Sequence, residues 1–307
     1  MTDRTPPRDS VAVHRGLLAI ARDRNADFNA ILVQYAIERL LDRLSRSTED
    51  RRFVLKGAML FRVWTGELHR PTRDVDFLGY GEASPTAVAD AIRRIVSVEG
   101  DDGLRFDPDS IAAEEIREEQ DYGGVRVTVV GYLAHVPITV RIDVGFGDAI
   151  TPNASKRLFP TLLGHPAAKI LTYPPETVVA EKIEAMCKLG IINSRMKDYG
   201  DVIAISRRFE IEGETLARAF RATFERRGTP LPGGVPTGLS RGFGEDDGKR
   251  GQWRAFLGRM RIVDMPESLS TAITIVSQFA LPALHAAAES GPSPGLWVPA
   301  SGWRSKR

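Results

Sequence analysis

The sequence has very little cysteine and no early apolar segment. Cys187 is the single cysteine among 307 residues, so the chain cannot form an internal disulfide, which fits a reducing compartment. The first ten residues, MTDRTPPRDS, lack the apolar core of a secretory signal. The most apolar late stretch, 268–288, contains Ser, Thr, Gln, Pro and His, whereas a membrane span needs about 20 mainly apolar residues. We therefore expect a cytoplasmic protein with no membrane partner.

Net charge is also close to zero. The chain has 42 Lys and Arg residues against 40 Asp and Glu residues, a formal net charge of +2. This balance excludes a broadly basic nucleic-acid-binding protein, so any cationic surface must be local. The apolar fraction of 42% and the charged fraction of 27% are those of a globular protein. A chain of this length can form one large domain or two ordinary ones.

Hydrophobic periodicity divides the chain into two parts. In the first part, apolar spacing predicts helices over 28–44, 58–64 and 85–98, and alternation predicts strands over 74–78, 125–129 and 138–144. After Pro174 and Pro175 the pattern becomes helical. The predicted helices are 176–189, 198–209, 213–226, 253–263 and 268–288, with a long Gly- and Pro-rich loop over 230–251.

These patterns predict an α/β fold with two lobes that form a cleft. Residues 1–165 would form a mixed-sheet lobe with helices, including an N-terminal helix. Residues 166–288 would form an all-helical C-terminal lobe, and residues 289–307 a disordered tail.

Two aspartates on a predicted strand are the first candidate site. Asp74 and Asp76 are two residues apart, so on a strand their carboxylates point the same way and can converge on one divalent cation. A pair of this kind is more often solvated surface charge. The chain has a second Asp-x-Asp at Asp107 and Asp109, whose central proline predicts a turn.

A third aspartate, Asp143, lies on the polar face of a later predicted strand. Three carboxylates from two strands can bind two Mg²⁺ ions for phosphoryl chemistry, and no cluster of Cys and His indicates zinc. The alternative for Asp143 is an ordinary exposed residue paired with Arg141.

Four ordered motifs carry a family resemblance. Two are Val-Leu-Lys-Gly-Ala-Met-Leu-Phe at 54–61 and Arg-Pro-Thr-Arg-Asp-Val-Asp-Phe at 70–77. The others are Pro-Glu-Thr-Val-Val-Ala-Glu-Lys-Ile-Glu-Ala at 175–185 and Arg-Met-Lys-Asp-Tyr-Gly-Asp at 195–201. From about residue 50 to about residue 285 the chain resembles the AbiEii-type nucleotidyltransferase toxins of the DNA-polymerase-β-like superfamily. The first lobe would then be nucleotidyltransferase-like.

The resemblance implies roles for the matching positions. Asp74 and Asp76 would bind metal, Lys182 would contact nucleotide phosphates, and Asp198 and Asp201 would complete the catalytic set. The turn that would face the nucleotide is Lys56-Gly57-Ala58. The family's usual turn has two glycines, or glycine and serine, so this chain has no hydroxyl there and one phosphate contact must come from the backbone.

The residues of the second lobe also have simpler explanations. Lys182 shares a helix face with apolar residues, so it could be a lysine that extends along the core to water. Asp198 could be the N-terminal cap of its helix. Arg195 and Lys197 form a cationic pair that could hold triphosphate or RNA.

The sequence therefore predicts a Mg²⁺-dependent nucleotidyltransferase that moves NMP from NTP to an acceptor. The resemblance implies the tRNA 3′ end as that acceptor, a toxin role, and a separate antitoxin as partner. Two alternatives remain at this point. One is nucleotidyl transfer to a small molecule or a protein, and the other is a nucleotide- or RNA-binding module without catalysis.

Overall fold

A computed structural model describes residues 8–68, 70–116, 123–260, 264–289 and 292–305. The chain divides into two units. The first comprises Met1–Gly147 and Ser155–Thr172, and the second comprises Asp148–Ala154 and Tyr173–Arg307. The first unit thus extends past the expected boundary at residue 165, and the short segment before its last two strands belongs to the second unit.

The first unit is built on a seven-stranded mixed sheet. The strand order is β3-β4-β5-β2-β1-β7-β6, in which β2 pairs with β5 and β1 pairs with β7 in parallel, and the other pairs are antiparallel. Helices α1, α2 and α4 contact strands β3, β4 and β5. The elements are α1 Ser10–Asp23, α2 Phe28–Arg46, β1 Phe53–Lys56, α3 Met59–Thr65, β2 Asp74–Gly79, α4 Pro85–Val96, β3 Leu104–Ile116, β4 Gly124–Leu133, β5 Val136–Phe146, β6 Ser155–Leu158 and β7 Lys169–Thr172.

Alternation along the central strands separates an apolar face from a polar one. Val75 and Phe77 on β2 are almost fully buried, and they lie in register with Ile142 and Val144 on β5. Both β5 residues are fully buried as well. Because successive side chains on a strand point to opposite faces, the aspartates between these residues lie on the other face of the sheet.

The second unit is mainly helical, as the sequence predicts. A small three-stranded sheet of order β10-β9-β8 accompanies the helices. The elements are α5 Pro175–Leu189, α6 Met196–Ser206, β8 Ile211–Glu212, α7 Gly213–Arg226, α8 Arg241–Glu245, α9 Asp247–Met260, α10 Leu269–Glu289, β9 Leu296–Val298 and β10 Gly302–Arg304.

Helix α10 is the one helix in the described ranges that is long and apolar enough to cross a membrane, by length and composition alone. Half of its apolar window is buried, and the helix packs against α6, α7 and α8. Helices at the core of a protein pass the same test, so this finding is weak evidence for a membrane span.

Three segments differ from the sequence-based expectation. The expected loop over 230–251 contains α8 and the start of α9, because Phe243 and Trp253 bury their rings there and tertiary packing outweighs the helix-breaking glycines. The expected disordered tail contains β9 and β10, and Trp297 is mostly buried and donates its indole N–H to the carbonyl of Ser206. The expected turn at 107–109 is an irregularity inside β3, where the register with β4 shifts.

Candidate active site

One register row of the seven-stranded sheet carries charged side chains on the face opposite the apolar core. Asp76 on β2 lies beside Lys56 on β1 and beside Asp143 on β5. Arg126 on β4 is the next partner of Asp143, and Glu114 on β3 is the next partner of Arg126. Register partners point to the same face, so these five side chains form one row, called here the charged row. The structure therefore brings two of the predicted metal ligands, Asp76 and Asp143, side by side.

Arginines contact the carboxylates on this face. Arg126 donates from Nε and Nη2 to the two oxygens of Asp143, at 2.8 and 2.7 Å. This bidentate hydrogen bond, together with the charges of Asp143, Asp74 and Glu114, raises the pKa of Arg126. Arg141 Nη1 lies 3.4 Å from Asp74 Oδ1. The alternative in which Asp143 pairs with Arg141 is therefore wrong, because Arg141 reaches its register partner Asp74 instead.

The glycine turn and the aspartate strand meet at one point. Gly57 has a φ of 73°, and a Cβ built on it would lie 2.0 Å from Asp76 Oδ2. Only glycine allows the carboxylate to approach this closely, and glycine also adopts this backbone conformation without steric cost. The first two motifs thus form one structure, in which the turn after β1 places the carboxylate of Asp76.

The two neighbours of Gly57 differ in their surroundings. Lys56 extends across β2, since its Nζ lies 3.3 Å from the position of a Cβ on Gly145 of β5. Gly145 is two residues from Asp143 and shares its face, so the absence of a side chain there leaves room for the lysine. Ala58 is buried, which leaves only its backbone for the predicted contact with a nucleotide.

The donor set suits a divalent cation in part. Asp74 and Asp76 present carboxylate oxygens on one face of β2, and hard oxygen ligands are those that Mg²⁺ prefers. In the described residues, no group of three or more His, Cys, Asp or Glu side chains is placed to hold a metal ion. At this site, Arg126 contacts both oxygens of Asp143. Asp74 and Asp76 therefore fit a cation as a pair, and Asp143 would join them only after it releases Arg126.

The second unit contains a cluster of charged residues from the third and fourth motifs. Lys182 on α5 lies with Nζ 2.7 Å from Asp198 Oδ1 and 2.9 Å from Asp201 Oδ2, both on α6. The lysine side chain is 14% exposed, and those of the aspartates are 1% and 2% exposed. Arg195 donates from Nε to the other oxygen of Asp198, at 2.7 Å. The explanation of Lys182 as a lysine reaching to water is therefore wrong. We call these four residues the lysine cluster.

Electrostatics keep Asp198 ionised within this cluster. Burial by itself raises the pKa of Asp198, but the charges of Lys182 and Arg195 more than offset it, and the pKa lies below its usual range. Asp198 is not the helix cap, because α6 begins at Met196 with Arg195 in the cap position. Its carboxylate is used for the two cations instead of for backbone N–H groups.

The two residues of the predicted cationic pair, Arg195 and Lys197, have different surroundings. Arg195 is tied to Asp198, while Lys197 is exposed. Arg195 is the cap residue before α6, from which it reaches Asp198, and Lys197 lies in the first turn of the helix.

Helix α5, which carries Lys182, is held by ion pairs with an arginine in the loop after α7. Arg227 follows α7 and lies 2.8 Å from Glu184, 3.6 Å from Glu181 and 2.9 Å from Asp148. Glu184 is fully buried and also accepts a hydrogen bond from the hydroxyl of Thr229 at 2.5 Å. These contacts hold the helix that presents the lysine.

The contact between Gly57 and Asp76 predicts a selective loss of activity. In Gly57→Ala the new methyl group would displace the carboxylate, and a shift of about 1 Å in a reacting group can cost about 100-fold in rate. Gly81→Ala is the matched control, since Gly81 has a φ of 89° with open space around it. Both variants should lose about 1–2 kcal/mol of stability from the positive φ, measured by urea denaturation. Normal transferase activity in Gly57→Ala would show that this contact is not needed.

The sequence-based reasoning gave no role to Arg126. The signal that could have found it is the hairpin between β4 and β5, whose loop has two residues, Ala134 and His135. Ala134 has a φ of 55°, as two-residue hairpin turns require. A loop of that length determines the register and places Arg126 opposite Asp143.

Comparisons with known proteins identify a family for this chain. The chain matches the model of the family described as "Nucleotidyl transferase AbiEii toxin, Type IV TA system" over residues 39–275. Two solved structures from Helicobacter pylori are similar to it at 14% identity. One is a provisionally assigned nucleotidyltransferase, with a TM-score of 0.47 over 85% of this chain and 96% of that chain. The other is JHP933, with a TM-score of 0.49 over 85% of this chain and 94% of that chain.

No curated protein sequence matches the chain. The family model, however, spans far more than half of its length and includes all four motifs, as well as every residue of the charged row and of the lysine cluster. The chain therefore belongs to the AbiEii family of nucleotidyltransferase toxins of type IV toxin–antitoxin systems.

Proposed function

We propose that this nucleotidyltransferase uses Mg²⁺ to transfer NMP from an NTP to the 3′ end of tRNA. The observation that carries the proposal is the charged row, in which Asp76 and Asp143 lie side by side and Asp76 rests against the glycine turn. Once Arg126 has released Asp143, the two adjacent carboxylates would repel one another, and a bound cation would relieve that repulsion. Asp74, on the same face as Asp76, would share that cation.

In the reaction, the terminal hydroxyl of the acceptor attacks the α-phosphate of the NTP. The new O–P bond forms as the bond to the bridging oxygen breaks, and pyrophosphate leaves. Asp143 would accept the proton of the attacking hydroxyl, after Arg126 has moved from its oxygens. Bound Mg²⁺ would supply charge stabilisation for the phosphates and activation of the attacking oxygen.

The lysine cluster would bind the phosphates of the nucleotide. Lys182 would be the contact, and Asp198 and Asp201 would be positioning residues that hold its ammonium group in place. Arg195 and the exposed Lys197 would add positive charge. The turn Lys56-Gly57-Ala58 would offer backbone N–H groups and the lysine side chain.

The family supports a separate antitoxin as partner and NTP as substrate, and the tRNA acceptor is our proposal. A toxin of a type IV system has a separate antitoxin, and NTP is the substrate of a nucleotidyltransferase. Nucleotides added to tRNA 3′ ends would prevent aminoacylation and stop growth, and this would take place in the cytoplasm, where tRNA is used. With a net charge of only +2, contact with tRNA would rely on local clusters of cations, and binding would weaken as salt rises.

The test is to incubate the protein with each labelled NTP in turn, together with total RNA, a protein extract and either Mg²⁺ or EDTA. We expect the label to enter the tRNA fraction at its 3′ end, only with Mg²⁺. The Asp76→Asn variant is the control for contaminating enzymes. Label in protein or in small molecules would contradict the tRNA acceptor, and no label anywhere would contradict transfer itself.

A further inference from the structure

Arg62, an arginine away from the charged row, is buried, and its hydrogen bonds to neighbouring side chains are long. Arg62 on α3 is 4% exposed. Its Nη2 lies 3.4 Å from Glu38 Oε2, and its Nη1 lies 3.4 Å from Gln34 Oε1. Charge-assisted hydrogen bonds of guanidinium groups are normally about 2.7–2.9 Å long, so both contacts are long.

The contact between Arg62 and Glu38 is long because Glu38 already accepts hydrogen bonds from other donors. Arg39 Nη2 lies 2.8 Å from Glu38 Oε1, and the backbone N–H of Leu162 donates to Oε2 at 2.7 Å. One buried carboxylate therefore faces two buried guanidinium groups. Burial lowers the pKa of Arg62, and the charges of Arg24 and Arg39 lower it further. The charge of Glu38 raises the pKa but does not offset these effects. An arginine remains protonated in a protein, so this part of the core holds an excess positive charge.

That excess charge faces a cavity of about 400 Å³. Arg62 and Gln34 lie in its wall, and Arg24 contributes a second guanidinium group from its exposed rim. Glu67 is the one carboxylate among the lining residues, which are Arg24, Ala26, Ile31, Gln34, Arg62, Gly66, Glu67 and Leu68. The volume lies in the range of small-ligand pockets, about 300–1,000 Å³.

We propose that this cavity is an anion site that takes a phosphate group between Arg24 and Arg62. Phosphate oxygens match the planar donor fork of arginine, and the amide of Gln34 can turn its NH₂ group towards the same oxygens. The site would receive a phosphate as carried by a small molecule or by the backbone of a nucleic acid.

A second cavity of the same unit is also lined by arginines, but there each arginine has a close carboxylate partner. Its volume is about 590 Å³, and its three arginines are compensated. Each has a carboxylate oxygen within 2.8 Å: Arg46 with Asp42, Arg93 with Asp90 and Arg94 with Glu49. Arginines paired in this way have little charge left for a ligand, which sets the cavity at Arg62 apart.

The experiment measures binding of inorganic phosphate, pyrophosphate and a short oligoribonucleotide by calorimetry, in EDTA and in the Asp76→Asn background. These conditions separate the anion site from the charged row and from catalysis, and substitutions confined to the cavity separate it from the lysine cluster, which they leave intact. Gln34→Glu places a carboxylate beside Arg62 with almost no change in shape, and we expect it to weaken phosphate binding about tenfold or more. Arg24→Gln should weaken binding as well, and Arg22→Gln, in the last turn of α1 but outside the cavity, should leave it unchanged.

The thermal unfolding temperature of each variant distinguishes a loss of phosphate binding from a loss of folding. Gln34→Glu should unfold at the same or a higher temperature, since the new carboxylate compensates Arg62. If it unfolds earlier, Arg24→Gln decides the result, because Arg24 is exposed. Tighter binding of the oligoribonucleotide than of pyrophosphate supports a nucleic-acid backbone as the ligand, and the reverse order supports a small phosphate. Absence of phosphate binding, or binding that neither variant weakens, overturns the proposal.

Discussion

Asp76→Asn and Asp74→Asn are each expected to lower nucleotide transfer about 10²- to 10³-fold, the usual cost of removing one group that stabilises charge in the transition state. Asparagine keeps the shape of aspartate, so both variants should fold normally. The measurement is the initial rate of labelled NMP transfer, together with Mn²⁺ binding followed by electron paramagnetic resonance. Both activity and metal binding should fall.

The matched control is Asp109→Asn, from the chain's second Asp-x-Asp. Asp109 lies in the irregular part of β3 and is exposed, so its substitution should change neither rate nor metal binding. If Asp74→Asn and Asp76→Asn both kept near-normal turnover with Mg²⁺, the assignment of these residues to the metal would be wrong. Loss of activity with unchanged Mn²⁺ binding would point to the same conclusion about the metal.

Lys182→Met is expected to have the largest effect on stability, because it leaves two buried carboxylates without their shared cation. Breaking a buried ion pair by removing one partner costs about 3–5 kcal/mol, to be measured as the free energy of unfolding in urea. Arg195 still contacts Asp198, so the lower end of this range is the expectation. In the folded fraction, the KM for NTP should rise more than the KM for the acceptor.

The loss should depend on pH in a defined direction. In the wild type the pKa of Asp198 is lowered, so its ionised form contributes stability above about pH 4, the value for an unfolded aspartate, and the contribution is lost as pH falls through the folded value. Without Lys182, the charge of Arg195 is left to oppose the effect of burial, and we expect the pKa of Asp198 to rise. Asp198 of the variant would then take up a proton on folding. The difference in the free energy of unfolding between variant and wild type should therefore shrink as pH falls from about 7 to about 5.

A rescue variant separates the structural role of Lys182 from its proposed role in substrate binding. Adding Asp198→Asn and Asp201→Asn to Lys182→Met removes the unpaired charges, and it should recover part of the stability but none of the affinity for NTP. The ion-pair interpretation would be contradicted by a loss below about 0.5 kcal/mol in Lys182→Met, the size of an ordinary surface change. Unchanged KM values in the folded fraction would remove the phosphate contact.

Much of this molecule follows from the sequence alone, because local patterns carry the information. Alternation of Asp74, Val75, Asp76 and Phe77 determines that the two carboxylates share one face of a strand and the apolar residues share the other. Helical spacing in the second half predicts its main helices. The four motifs are short and ordered, and they identify the family without any knowledge of distances.

Tertiary structure decided which charges meet, because pairing depends on strand register and on helix packing between residues far apart in the chain. Arg126 is 17 residues from Asp143, and only the register of the hairpin brings them together. The pairing of Lys182 with Asp198 and Asp201 needs α5 and α6 to pack side by side. The long contacts of Arg62 depend on Leu162, whose N–H competes for the same carboxylate from 124 residues away. No local sequence pattern predicts these pairings, because each results from competition between side chains for buried partners in the folded chain.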